Sequence, residues 1–319
     1  MEDKFIEVEN KIKDIPCVVA DATYAGHDNK IGVNIDQAID LFNNGNTIYF
    51  NNLVSKKQWE DFCSRTSGSG LVLMEMIPPT WEQPDRIRIL WTVNHHMRWA
   101  QTLNRLSKGK FLFNRKIQDC SHKFISLAGR DEYDRIIFHQ IFEAMAHSND
   151  FLLYHSASEK KDLAVDKYRV NGVLQGTQEK RVEPFVDSNA LEDNFPKLMP
   201  EFSKAEVAIV LTNWCLNEPN ALSEKDLLAM AIGVPTYRVY SEGLRAMFSY
   251  WGFESQMGTM SSDLISETIE WTSTYSSLPN EVRQELQENQ GISISNNRNI
   301  LRDWPDVLHQ KFLEDWNKI

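Results

Sequence analysis

Apolar and polar residues alternate in blocks along this chain, and the first third repeats a strand-then-helix pattern. Residues 15–20 form a short β-branched run, and a polar loop separates them from an amphipathic stretch at residues 34–43. The next segments predict strands at 47–50, 71–76, 86–93 and 110–113, and helices at 55–64 and 95–106. Strands that alternate with helices predict a mostly parallel sheet with helices on both faces.

A second block of the same kind begins near Cys120. Its pattern predicts strands at 122–127, 150–154 and 205–212, and helices at 131–148, 191–203, 242–252 and 262–273. The helix at 191–203 is expected to be interrupted at Pro196 and Pro200. Residues 279–299 predict a mixture of helix and loop, and residues 305–319 predict an amphipathic helix. Two such blocks predict an α/β fold with two Rossmann-like domains facing across a cleft. The predicted division is 1–118, 119–300 and a tail at 301–319.

Composition narrows the class of protein. The 319 residues contain no apolar run near the roughly 18 residues that a membrane span needs, and the acidic N-terminus lacks the apolar core of a secretory signal. We therefore expect a cytoplasmic location. Four cysteines are widely spaced without a metal-ligand pattern, which predicts reduced thiols and no metal site: Cys17, Cys63, Cys120 and Cys215.

The distribution of charge limits the partners. A net charge of −11 argues against a surface that grips a polyanion as a whole, because nucleic-acid affinity depends on neutralising phosphates. One segment, residues 86–116, is nevertheless basic and includes Arg86, Arg88, Arg98 and Arg105. These four arginines are the candidates for contact with an anionic acceptor. A solvated basic face explains them equally well.

Residues 217–240 carry the clearest candidate for chemistry. They follow the apolar run at 205–212 and predict a loop, a short helix, Gly-Val-Pro and another strand. Ser223 with Asp226 three residues later predicts a capping box at the start of that helix. This arrangement exposes backbone N–H groups at the carboxyl edge of a sheet, where open α/β sheets bind ligands.

Glu224 and Lys225 occupy the first turn of this predicted helix. A carboxylate there can accept two hydrogen bonds from a ribose diol, and an ammonium can neutralise a phosphate bound at the helix N-terminus. The alternative is that Glu224 only complements the helix dipole and that Lys225 is solvated. Helix physics alone leaves both interpretations open.

The order of the short motifs adds a resemblance. Residues 126–130 end a strand at Gly-Arg, and LSEK, GVP and WGF follow at 222–225, 233–235 and 251–253. Residues 120–260 thereby resemble the donor-binding half of GT-B glycosyltransferases, in particular phage and bacterial glycosyltransferase-like proteins. In that fold a glutamate at the start of such a helix holds the nucleotide ribose, and the resemblance implies this role for Glu224.

The resemblance also implies how the donor diphosphate is held. Arg130 and Lys225 would bind it, with Arg135 one helical turn further on and Glu218 facing the sugar. GT-B enzymes generally need no metal, so we expect no cofactor other than the nucleotide-sugar co-substrate. A surface cap is the alternative for Arg130, and a solvated side chain is the alternative for Glu218.

The N-terminal half would supply the acceptor pocket and a general base. Asp21 and His27 lie at and after the end of the first predicted strand, and Glu75 lies near the end of another. A capped or solvated polar residue is the alternative for each. The resemblance further implies that the tail packs back onto the N-terminal domain.

The expected activity is transfer of a sugar from a nucleotide-sugar to a hydroxyl acceptor. The phage-like resemblance makes a hydroxymethylated base in phage DNA one acceptor, in which case the location would be the host cytoplasm. A saccharide or protein acceptor is the main alternative. A non-catalytic nucleotide-binding or sugar-binding protein is an alternative of another class.

Overall fold

The chain folds into two parallel sheets, one from each of the two blocks in the sequence pattern. The structure is a computed structural model, and it describes residues 2–20, 34–50, 54, 56–74, 81–108, 116–128, 141–142, 144–155, 191–210, 222–261 and 263–319. The strand predicted at 110–113 and most of the helix predicted at 131–148 lie outside these ranges.

The first sheet has four parallel strands in chain order, so no strand direction or neighbour order reverses within it. Its strands are β1 (Val18–Ala20), β2 (Ile48–Phe50), β3 (Gly70–Met74) and β4 (Ile87–Trp91). Successive residues of β3 point to opposite faces, so Val72 packs into one cluster and Leu73 into another. Both faces are therefore covered by apolar side chains, as the pattern predicted.

Different helices cover the two faces of the first sheet. The helices are α1 (Glu2–Lys13), α2 (Ile35–Asn43), α3 (Lys56–Arg65) and α4 (Asn94–Leu106). On one face, Phe42 of α2 and Phe62 of α3 meet edge to face with ring centroids 5.3 Å apart. On the other face, α4 packs with α1, which the sequence pattern had not predicted.

The second sheet has five parallel strands in the order β6-β5-β7-β8-β9. These strands are β5 (His122–Ala128), β6 (Phe151–His155), β7 (Ala205–Ile209), β8 (Thr236–Tyr240) and β9 (Met257–Met260). The chain starts in the interior of this sheet, adds β6 on one side and then builds outward on the other. A point where strand order reverses lies between β5 and β7, and such points are preferred ligand sites.

The second block and the C-terminal part of the described chain contain further α-helices. They are α5 (Leu191–Phe202), α6 (Glu224–Ile232), α7 (Glu242–Tyr250), α8 (Leu264–Ser277), α9 (Asn280–Asn289) and α10 (Gly291–Trp316). The α5 helix continues through Pro196 and Pro200, where the pattern predicted interruptions. None of the described helices is long and apolar enough to cross a membrane. Residues 280–289 and 291–299 are helical throughout, where the pattern predicted a mixture of helix and loop.

The last helix continues through a proline. The sequence pattern predicted a helix from residue 305, whereas α10 begins at Gly291 and contains Pro305. Pro305 has no N–H with which to satisfy the carbonyl of Leu301 four residues earlier. Asn104 of α4 donates its Nδ2 to that carbonyl over 3.0 Å and to the carbonyl of Arg302 over 3.2 Å. The gap in the helix is therefore filled by a side chain from the first block.

Helices from both blocks share one apolar core. It contains Met97 of α4, Leu228 of α6 and Leu308 of α10, together with Leu73 from the first sheet and Ile125 from the second. The α10 helix contacts α4, α6 and β4, so it lies against elements of both blocks. The α/β architecture with two parallel sheets is confirmed, while the cleft and the division into domains stay predictions.

Candidate functional site

The candidate site lies around the N-terminus of α6. Because β7 and β8 are parallel, the helix that connects them runs back along the sheet and starts at the carboxyl edge. At its other end, Gly233 adopts the left-handed conformation (φ 78°) and stops the helix, which allows Pro235 to lead into β8. The Gly-Val-Pro segment thus turns the chain, and Ser-Glu-Lys begins the helix at the ligand-binding edge.

Ser223 and Asp226 form the capping box that the sequence predicts. The Ser223 backbone N–H and hydroxyl each donate to Asp226 Oδ2 over 2.8 Å, and the Ser223 hydroxyl oxygen accepts from the Asp226 N–H. Both residues are buried. The reciprocal bonds fix the direction in which the chain enters the helix, and they hold the first turn in place for the residues between them.

A buried arginine supports this cap from the neighbouring strand. Arg238 of β8 is 2% exposed, and its Nη2 lies 3.1 Å from the carboxylate of Asp226, which is 1% exposed. The ring of Phe248 lies 5.7 Å from the Arg238 guanidinium carbon. Sequence reasoning did not single out Arg238. The signal was a charged residue inside the apolar strand TYRVY, which must have a partner when it is buried.

Glu224 and Lys225 form an ion pair at the start of α6. Lys225 Nζ lies 2.5 Å from Glu224 Oε1, and the side chains are 6% and 24% exposed, respectively. The ammonium is therefore drawn into the protein, while part of the carboxylate reaches the surface. Lys225 thus holds Glu224 at the site, and the phosphate contact predicted for Lys225 stays a prediction. A carboxylate held in this way can accept hydrogen bonds from hydroxyl groups of a ligand.

The carboxyl end of the first sheet lies close to the N-terminus of α6. His96 lies in the first turn of α4, directly after β4, and its Nε2 is 3.0 Å from the backbone carbonyl oxygen of Leu222. Leu222 immediately precedes Ser223. The sequence pattern predicted only a helix from residue 95, so the contact of this histidine with the second block is a finding of the structure.

Tyr240 is the last residue of β8, the strand that follows α6. Burial raises the pKa of its phenol. The phenol oxygen accepts a hydrogen bond from the backbone N–H of Gln256 over 3.3 Å. Tyr240 is therefore protonated at neutral pH and helps to fix the segment between α7 and β9.

Six predicted site residues lie outside the described part of the chain. They are Asp21, His27 and Glu75 from the first block and Arg130, Arg135 and Glu218 from the second. Arg130 and Arg135 follow β5, and Glu218 follows β7, so these residues come after the two strands at the reversal point. Asp21, His27 and Glu75 follow β1 and β3. Their predicted roles stay predictions.

The structure does not bring the four predicted acceptor arginines onto one face. Arg86 donates to the backbone carbonyl of Cys63 in α3, on one side of the first sheet. Arg98 and Arg105 are exposed on α4, which covers the other side. Arg88 donates to the backbone oxygen of Ile319 over 3.0 Å. Among the four, only Arg98 and Arg105 share an element, and they lie two helical turns apart on it.

No metal-binding group is present among the residues that the structure describes. No three histidine, cysteine, aspartate or glutamate side chains come together within those ranges.

Comparisons with known proteins give a weak structural likeness. No family model matches the sequence, and no curated protein matches it. Among solved structures, an α,α-trehalose-phosphate synthase (UDP-forming) from Burkholderia vietnamiensis aligns with a TM-score of 0.46 at 13% identity. The alignment covers 89% of this chain but only 63% of that enzyme. UDP formation is stated for that enzyme, and a likeness of this extent does not extend it to the present chain.

Proposed function

We propose that the protein is a glycosyltransferase of the GT-B type, which moves a sugar from a nucleotide-sugar to a hydroxyl acceptor. The observation that carries the proposal is the partly exposed carboxylate of Glu224, held by Lys225 on a capped helix N-terminus at the carboxyl edge of a parallel sheet. The motif order that resembles GT-B donor halves supports the same role.

In this proposal the nucleotide binds at the start of α6. Glu224 accepts hydrogen bonds from the two ribose hydroxyls. The diphosphate binds near the first-turn N–H groups of α6, where the positive end of the helix dipole and the Lys225 ammonium reduce its charge. Arg130 completes the diphosphate site, with Arg135 and Glu218 beside it. These groups neutralise the leaving diphosphate without a bound metal or another cofactor.

The chemical step exchanges one bond at the anomeric carbon of the sugar. The acceptor hydroxyl oxygen bonds to that carbon as the bond to the diphosphate oxygen breaks. The acceptor proton passes to a general base of the first block, for which Asp21, His27 and Glu75 are the candidates. The nucleoside diphosphate leaves with the electron pair of the broken bond, so no oxidant or reductant is needed.

A donor panel tests this proposal. We expect one donor among UDP-, GDP- and ADP-sugars to raise the melting temperature of the protein, because a ligand that binds only the folded state stabilises it. At a concentration 100 times the dissociation constant the gain is about 2.7 kcal/mol. The matching free sugar without a nucleotide serves as the control. If none of the three donor classes shifts the transition, the glycosyltransferase proposal fails.

The acceptor class requires a separate experiment. If the acceptor is a hydroxymethylated base in DNA, the protein binds DNA at low salt and loses affinity as salt rises. The double substitution of Arg98 and Arg105 by glutamate should then abolish binding, because both side chains are exposed on α4. Fluorescence anisotropy with duplex DNA measures this. Undetectable binding of the wild-type protein at low salt removes DNA and leaves a saccharide or protein acceptor.

A further inference from the structure

His96 belongs to the first block, yet its side chain forms a hydrogen bond with the second. The ring nitrogen Nε2 lies 3.0 Å from the Leu222 carbonyl oxygen. A carbonyl oxygen can only accept a hydrogen bond, so the proton of that bond belongs to Nε2. The imidazole is 2% exposed, and Leu222 is equally buried. Within the described structure this bond therefore lies inside the protein, away from competing water.

Aromatic rings fix the orientation of this imidazole. The Trp99 ring lies 5.2 Å away at 61°, and the Trp304 ring lies 5.8 Å away at 75°, both measured between centroids. Trp304 of α10 in turn contacts Trp251 and Phe253, which follow α7 in the second block. Residues from both blocks pack against the imidazole ring. They keep its Nε2–H group directed at the Leu222 carbonyl oxygen.

The hydrogen bond from His96 holds Leu222, the residue directly before the N-cap of α6. The Leu222 carbonyl is held by His96 from the first block, and the Ser223 N–H is held by Asp226 from the second. Asp226 is itself held by Arg238. The peptide that leads into the Glu224 turn is therefore fixed from both sides, and a displacement of either support changes where the Glu224 carboxylate points.

We infer that His96 is a positioning residue for the nucleotide site: it places the N-terminus of α6, and with it Glu224, from the opposite block of the fold. This inference rests on the proposed function for its binding readout. Its structural part, the fixing of the α6 N-terminus by His96, is independent of which nucleotide binds.

Three variants separate positioning from general stability. His96→Leu removes the donor, and His96→Gln retains an amide N–H of similar reach. Asn104→Ala is the matched control, because Asn104 lies on the same helix and also donates to backbone carbonyls, but those carbonyls belong to α10. We expect all three variants to lose part of the folding stability, so stability alone does not distinguish them.

Two measurements then decide the question. Hydrogen exchange by mass spectrometry reports the amides of residues 223–227, and titration with UDP, GDP and ADP reports nucleotide affinity. We expect His96→Leu to speed exchange at these amides and to weaken binding of the recognised nucleotide by roughly tenfold, the loss of about one hydrogen bond. His96→Gln should recover most of both, and Asn104→Ala should change neither.

The outcomes test the positioning role of His96 and the proposed function separately. Unchanged exchange at residues 223–227 in His96→Leu overturns the positioning role, whatever the nucleotide result. Equal weakening by His96→Leu and Asn104→Ala also overturns it, because the effect would then follow stability. If the wild-type protein binds none of the three nucleotides, the proposed function is what fails, and the exchange comparison alone decides the role of His96.

Discussion

Glu224→Ala is expected to abolish turnover of the nucleotide-sugar. The substitution removes the acceptor for the ribose hydroxyls, and each hydrogen bond to a charged group contributes about 1.5–3 kcal/mol, equivalent to at least tenfold in affinity. Donor hydrolysis and transfer, followed as release of the nucleoside diphosphate, measure the effect. Turnover by the wild-type protein also separates an enzyme from a non-catalytic nucleotide or sugar binder, which would release none.

Two further variants make this result specific. Lys225 loses its carboxylate partner in Glu224→Ala, so Glu224→Gln, which keeps an oxygen acceptor beside the ammonium, should be more stable and still impaired. Glu242 offers a matched control, because it occupies the first turn of α7 behind a serine cap. We expect Glu242→Ala to retain donor turnover. An equal loss in Glu242→Ala would mean that a general helix-dipole effect is responsible.

Arg283→Ala is expected to lower the free energy of unfolding by about 3–5 kcal/mol, because it leaves a buried charge without its partner. Arg283 Nε and Nη2 lie 2.9 and 3.1 Å from the two carboxylate oxygens of Glu206 in β7. Tyr275 donates to the same carboxylate, and Gln287 donates to the Glu206 backbone carbonyl. The cluster thereby ties α8 and α9 to the second sheet.

Denaturant unfolding measures this effect. The control is Arg302→Ala, which breaks an exposed ion pair with Asp303 and should leave the free energy of unfolding unchanged. A Glu206→Leu, Arg283→Met double variant should recover most of the loss, since apolar side chains of similar volume can replace a buried pair. A loss in Arg283→Ala no greater than in Arg302→Ala would contradict the structural role of the cluster.

The sequence pattern predicted those elements whose side chains repeat with a clear period. Residues 34–43 have apolar side chains at helical spacing and form α2, and the apolar runs form parallel strands as expected. The capping box at Ser223 was also predictable, because it depends on two residues three positions apart. Local signals of this kind need no knowledge of the rest of the fold.

Elements that depend on distant partners were missed. The α1 helix is highly charged, and its apolar residue Val8 is buried in the shared core, where α1 packs against α4 and α10. Strand β9 has no apolar alternation, and it forms because Gly258 allows β9 to approach β8, where a Cβ would lie 2.0 Å from the Arg238 carbonyl oxygen. Pro305 marked a helix start in the sequence, but Asn104 compensates for its missing N–H.

In the candidate site, too, local signals could be predicted from the sequence and distant contacts could not. Ser223, Glu224 and Lys225 could be predicted from their position at a helix start. Their supports could not, because Arg238 lies on the next strand and His96 lies in the other block, more than 100 residues away in the sequence. A side-chain contact across the fold leaves no periodic pattern in the sequence.

The central claim is that Glu224 holds the ribose hydroxyls of the donor. The most direct test compares the affinity of a nucleoside diphosphate with that of its 2′,3′-dideoxy analogue by calorimetry, in the wild-type protein and in Glu224→Ala. We predict that the wild-type protein prefers the ribose form by at least about tenfold and that the variant binds both forms equally weakly. The same preference in both proteins would contradict the account.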